Sequence, residues 1–193
     1  MKKNIIILVI FCSAIAVSAQ NTIWSFTYDI GIPVSETKEF TDQVSWRGLA
    51  LDFDRFLNEN MAVGMGFSWN TFVEKEPNSY YESDNALVHG TQVRYINTIP
   101  ILVRFSYYKH MNVDHSLYGT MGVGTAWQET RRQIGTFSFV GNYWQFALSP
   151  EIGYVFPVGF HNYLTAKVRY MHAFQTSDAP TLSYVGIGVG FAW

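Results

Sequence analysis

From residue 22 onward the chain alternates between large apolar side chains and small or polar ones. The alternation comes in segments of about ten to fourteen residues, separated by clusters of Asn, Asp, Glu, Ser, Gly and Pro. It predicts eight strands, near 22–34, 44–55, 61–73, 92–107, 116–129, 142–156, 163–174 and 182–193. No stretch carries a helical period, so the pattern predicts an all-β fold without a helix. The links "FLNEN", "KHMNVDHS" and "PVGFHN" are short, while 35–43, 74–91, 130–141 and 175–181 read as longer, more polar loops. Eight strands joined by alternating short and long links predict an antiparallel up-and-down β-barrel.

The two faces of each strand decide which kind of barrel. Trp24, Phe26, Tyr28, Ile30 and Ile32 share one face of the first strand, with Ser25, Thr27, Asp29 and Gly31 on the other. The last strand sets Val185, Ile187, Val189, Phe191 and Trp193 against three glycines and an alanine. The small face is too poor in charge for a water-facing surface, and it suits the cramped interior of a narrow barrel. The apolar face is then the exterior, touching lipid, and the barrel is transmembrane. Continuing the alternation inward puts Asp29, Asp52, Asp54, Arg94, Arg104, Glu151, Lys167 and Arg169 in the lumen, four acidic and four basic. Charges in so narrow a space are costly unless paired, so a cross-strand ion network that fills the lumen is expected, with Lys167 and Arg169 neutralising Glu151 and Asp52 or Asp54. Aromatics at strand ends predict two interfacial belts. One holds Trp24, Phe105, Tyr107, Tyr154, Phe156 and Trp193; the other holds Trp69, Tyr95, Trp127, Trp144 and Phe174.

Composition sharpens this. The chain is 17% aromatic, more than one small soluble core uses, and its formal charge of −2 offers no basic patch for nucleic acid. Lys2 and Lys3, the apolar run "NIIILVIFCSAIAV" and the small residues "VSA" before Gln20 have the three parts of a signal peptide, expected over 1–19, with the barrel domain over 20–193. Cys12 lies in the apolar run, so the mature chain is expected to have no thiol chemistry.

The signal sequence, the eight amphipathic strands and the ending "GFAW" resemble the small outer-membrane β-barrel family that includes OmpA- and OmpX-type barrels. The resemblance implies an outer membrane of Gram-negative type, with both chain ends periplasmic and lipid and lipopolysaccharide around the wall. It also implies that Phe191 and Trp193 form part of the signal read by the barrel-assembly machinery. Members more often end in Phe than in Trp.

Candidate chemistry is sparse. "GIGVG", "GVG" and "GMG" lie inside strands and open no helix, which argues against a phosphate loop. "DHS" at 114–116 is a turn, since consecutive residues cannot form a nucleophile–base–orienter chain. His172 is expected on the outer face near the outer leaflet. Barrel deacylases of lipid A resemble a His-x-Ser pattern, but "HAF" puts Phe174 at the nucleophile position. The five histidines are scattered, so neither a metal nor another cofactor is expected. Arg131 and Arg132 in an external loop read as a solvated pair, with lipopolysaccharide phosphates as the alternative. The reading is a non-enzymatic barrel that presents loops for envelope integrity, adhesion or contact with an extracellular partner at 74–91. The alternatives are a narrow channel for small or apolar solutes, like OmpW-type barrels, and a lipid A-modifying enzyme.

Overall fold

Alternation with a period of two becomes eight antiparallel strands, each paired to its sequence neighbours, with the last closing on the first. The computed structural model describes residues 22–193 except 84–85, 113–114, 135–136, 159–161 and 178; the side chains of 78–83, 86–90, 111–112, 134 and 137 are not described. The expected signal peptide lies outside these residues, as does Asp114 of "DHS".

The strands are β1 (Thr22–Pro33), β2 (Gly48–Phe56), β3 (Met61–Ser83), β4 (Ala86–Asn112), β5 (His115–Ile134), β6 (Phe137–Pro157), β7 (Tyr163–Ala173) and β8 (Leu182–Ala192). Reciprocal backbone bonds between Trp24 and Trp193, both 2.9 Å, tie the start of β1 to the last residue of the chain at one end of the barrel. This end is the terminal rim, and the opposite end the far rim.

Burial separates the faces. Trp24, Phe26, Tyr28 and Ile32 of β1 are exposed, and so are Ile187, Val189 and Phe191 of β8 and Trp193 just beyond it. Thr27 and Asp29, which alternate with them, are fully buried. The apolar exterior runs eight residue steps along β1 from Trp24 to Ile32, about 26 Å of strand at ~3.3 Å per residue. It ends on polar outward positions: Lys109 at the terminal rim, and Asn97, Glu129 and Asn142 toward the far rim.

Two features differ from the sequence expectation. A five-residue helix, α1 (Glu36–Phe40), follows β1. It is too short for periodicity to reveal, and tertiary bonds hold it: the Ser183 amide donates to Thr37 Oγ1 (2.6 Å) and Arg94 donates to the Phe40 carbonyl (3.2 Å). Residues 74–91 and 130–141 are also largely strand rather than loop. β3 and β4 stay paired as far as Ser83↔Ala86, and β5 and β6 as far as Ile134↔Phe137. The sequence there lacks the strict alternation of large apolar and small residues that marks the wall strands, so it reads as loop. The register shift between Glu76 and Ser79 surrounds Pro77, which has no N–H for the ladder.

β2 leaves β3 at Gly48↔Asn70 and β7 leaves β6 at Ala147↔Ala173. Beyond those points β3, β4, β5 and β6 continue as a four-stranded sheet no longer flanked by β2 or β7.

Candidate functional site: the filled lumen and the projecting sheet

The lumen is built in three layers. The middle layer is ionic. Arg104 of β4 reaches Asp52 (3.1 Å) and Asp54 (3.2 Å) of β2 and Glu151 of β6 (3.1 Å). Lys167 of β7 pairs with Asp52 and lies 3.7 Å from Glu151. Arg169 pairs with Asp29 of β1. All seven side chains are buried.

Small residues give these chains their space. In the ladders Asp52 faces Gly66, Asp54 and Arg104 both face Gly64, Lys167 faces Gly153 and Gly188, and Arg169 faces Gly186. A Cβ on Gly66 would stand 2.8 Å from Asp52 Oδ1 and 2.9 Å from Arg104 Cδ; one on Gly188 would stand 3.0 Å from Lys167 Cγ. Alternating glycine with charge lets long side chains cross the barrel, and the glycine-rich face of the last strand belongs to the same arrangement.

Four carboxylates face three cations here, so neutral donors complete the shell. Tyr108 donates to Asp54 (3.0 Å), Ser106 to Asp54 (3.2 Å), Tyr118 to Glu151 (3.1 Å) and Asn70 to Asp29 (3.2 Å). The layer at the terminal rim holds the rings of Tyr108 and Tyr118, stacked with centroids 5.1 Å apart over Ala62 and Val155. The gap between this floor and Asp52, Asp54 and Arg104 is about 10 Å³, roughly the volume that admits one water.

The third layer, toward the far rim, is apolar. Phe72, Ile96, Leu102, Met171, Leu182 and Tyr184 pack together across the lumen, and Phe40 of α1 packs against them. Sequence reasoning missed this layer. Its residues occupy inward positions that the alternation does identify, but their chemistry matches that of the lipid-facing side.

Arg94 is a correction: it is not part of the lumen network. It is half-buried near the far rim, 3.1 Å from Glu76 and 3.9 Å from Glu74, and holds α1 by its carbonyl. It lies on the stretch of β4 that has left the closed wall, where the nearest acids belong to the neighbouring strand. The expected partner of Arg169 also changes. Asp29 is the carboxylate beside it, because the β1–β8 and β7–β8 registers set both residues next to Gly186 and Gly188.

Among the exterior aromatics, Trp24, Phe105, Tyr107, Phe191 and Trp193 are exposed toward the terminal rim, and Trp69, Trp144 and Phe174 toward the far rim. Trp127 faces Trp144 directly, and Tyr154 Oη lies 3.0 Å from His115 Nδ1. Tyr95 stands four residues beyond Ile99 on the projecting sheet, with the Arg131 guanidinium 6.0 Å over its ring. Arg131 also pairs with Glu129 (2.9 Å), and Arg132 lies over Phe40, 5.4 Å from the ring centroid.

His172 Nδ1 lies 2.8 Å from Ser183 Oγ, the residue opposite it on β8. Sequence spacing did not bring these two together. Ser183 is only 1% exposed, beneath Thr37, so its hydroxyl has no approach for a substrate. Among the described residues no group of three or more His, Cys, Asp or Glu is placed to hold a metal ion.

The two edges of the projecting sheet differ. Residues 42–47 cover the β3 edge: Ser45 Oγ donates to the Thr71 carbonyl (2.6 Å), the Thr71 amide to the Arg47 carbonyl (3.2 Å) and the Asp42 amide to Glu74 (3.3 Å). The β6 edge has no such cover among the described residues. The Phe146 carbonyl accepts from the Phe174 amide, so residues 138, 140, 142 and 144, which share its direction, turn their backbone groups to the open side. Phe139 and Val140, on opposite faces there, are 59% and 51% exposed.

A closed eight-stranded antiparallel wall, apolar outside and filled with charge inside, is the fold of the small outer-membrane β-barrels. Solved structures similar to this chain include Neisserial surface protein A, with a TM-score of 0.56, 9% identity and coverage of 89% of this chain and 94% of that one. OprG from Pseudomonas aeruginosa gives 0.54 at 14% identity, covering 89% and 94%. The outer membrane protease OmpT from Escherichia coli gives 0.53 at 8% identity, covering 91% and 97%. No protein-family model matches the chain, and no curated protein matches it in sequence.

Proposed function

We propose that this protein is a non-enzymatic barrel of the outer membrane that anchors its projecting sheet for contact with an extracellular partner. The chain ends and the terminal rim face the periplasm, lipopolysaccharide surrounds the far rim, and Phe191 and Trp193 serve recognition by the assembly machinery. The exposed apolar exterior supports the membrane reading, since soluble proteins rarely expose so continuous a surface. The layered lumen supports an anchor over a channel.

The open β6 edge carries the functional reading. Soluble proteins blunt such edges with charge, proline or cover, because unpaired backbone groups recruit another strand. Here one edge of the sheet is covered by the chain itself, and the other has no cover among the described residues and is flanked by the apolar side chains of Phe139 and Val140. An extended peptide can add to it as a further strand, with backbone bonds giving affinity and Phe139 and Val140 giving selectivity.

The test is binding of intact cells carrying the protein to immobilised matrix and serum proteins. A Val140→Pro/Asn142→Pro variant removes two donors from the open edge and leaves the β5 ladder intact. Loss of binding at unchanged barrel abundance is expected. Equal binding by the variant, or no binding by the wild type, contradicts the reading.

A further inference from the structure

We infer that the terminal rim carries a site for a single anionic phospholipid, with an acyl chain in a cleft on the exterior of β3, β4 and β5 and its phosphate at Lys109. The inference rests on reading the exterior as lipid-facing.

The cleft has a volume of about 560 Å³, within the range of roughly 300–1,000 Å³ usual for small-molecule sites. Its outward lining is apolar, with Leu57, Met61, Val63, Phe105, Tyr107 and Met121, while the inward residues Ala62, Ser106, Thr120 and Glu151 form its base, where Glu151 is already paired to Arg104. Gly119 creates the recess. It occupies an outward position on β5 directly opposite Tyr107, where every other outward residue from Leu117 to Val123 is large, and a Cβ built on it meets nothing within 4 Å. Glycines on the inward face have neighbours waiting at about van der Waals distance or less; this one faces open space. A second exterior groove, lined by Phe26, Leu49, Leu51, Phe67, Trp69 and Ile99 near the far rim, is smaller, at about 230 Å³, and has no glycine in its lining.

What distinguishes the cleft from ordinary annular surface is its charge. Lys109 is the next outward residue on β4 after Tyr107, about 7 Å further toward the rim at ~3.3 Å per residue, and stands opposite Leu117. It is exposed and has no carboxylate partner among the described residues. An ammonium at the water end of an apolar recess matches a lipid whose phosphate bears net negative charge. Burying an acyl chain against protein gains a great deal relative to water but little relative to other lipid, so shape and the Lys109 charge select the occupant. The site is on the rim that carries the chain ends, so it selects from the periplasmic leaflet.

Native mass spectrometry of the detergent-purified protein with palmitoyl-oleoyl phosphatidylglycerol, against phosphatidylcholine of the same chains, tests this. The wild type should retain one phosphatidylglycerol in at least tenfold preference to phosphatidylcholine. Gly119→Phe, whose Cβ would meet nothing within 4 Å, puts a ring into the recess and should lower retention of both lipids at least tenfold. Lys109→Gln should keep retention and bring the preference to near unity. Leu49→Phe, in the second groove, should change neither. Retention by Gly119→Phe equal to wild type, or an unchanged headgroup preference in Lys109→Gln, overturns the site. Heat-modifiable gel mobility of the same samples reports barrel folding, and membrane fractionation reports the lipid-facing reading, so failure of either is distinguishable from failure of the site.

Discussion

The middle and far layers of the lumen close the same cylinder by different physics. Around Arg104 closure depends on identity: three carboxylates converge on one guanidinium, and Lys167 and the two tyrosines supply the remaining partners. Around Phe72 closure depends on volume, since Ile96, Met171, Leu182 and Tyr184 need only fill the space beneath α1. A buried ion cluster tolerates the loss of a partner poorly, because the orphaned charge stays behind without water. An apolar layer loses contacts in proportion to the volume removed. The ionic layer should therefore be intolerant of chemical change and the apolar layer intolerant of shrinkage.

Charge reversal breaks the first layer most severely. Lys167→Glu sets a third carboxylate beside Asp52 and Glu151 and should cost about 3–5 kcal/mol, read as the urea midpoint of protein folded into lipid vesicles. Restoration of part of that loss by Asp52→Lys in the same chain would assign the effect to the pair. The apolar layer should respond to size. Phe72→Ala should cost about 3 kcal/mol, whereas Phe72→Leu should cost less than about 1.5 kcal/mol. A similar penalty for both would mean that shape, not volume, closes this layer.

The exterior provides the next contrast, because its apolar residues face lipid instead of one another. Ile187→Arg should cost about 2 kcal/mol in vesicles, and Val123→Arg should behave alike. Neutral results at both positions would mean that the faces are inverted. The smallest effect belongs to the open edge: Val140→Pro with Asn142→Pro should change barrel stability by less than about 0.5 kcal/mol, since neither amide serves the wall.

The same contrast explains what could be read in the sequence. Eight strands, their faces and the inward charges were legible because Asp29, Asp52, Asp54, Arg104, Glu151, Lys167 and Arg169 interrupt otherwise small faces at a strict period of two. Phe72, Ile96, Leu182 and Tyr184 sit on the inward side by the same period, yet a large apolar residue there looks like one more member of the exterior set. Arg94 obeyed the alternation as well. Its strand had already left the wall, a boundary set by where β2 ends at Gly48↔Asn70 and β7 at Ala147↔Ala173, and cross-strand register is not written in single-strand periodicity. The cleft at Gly119 was hidden for a similar reason: a glycine on an outward face becomes a recess only when Tyr107 and Met121 are placed around it.

Both lumen layers together should leave no path through the barrel. Planar-bilayer recording of the purified wild-type protein tests it most directly. A silent membrane is expected, with small brief steps emerging only when Lys167→Glu and Phe72→Ala are combined. Large, long-lived, porin-like openings of the wild type would contradict it.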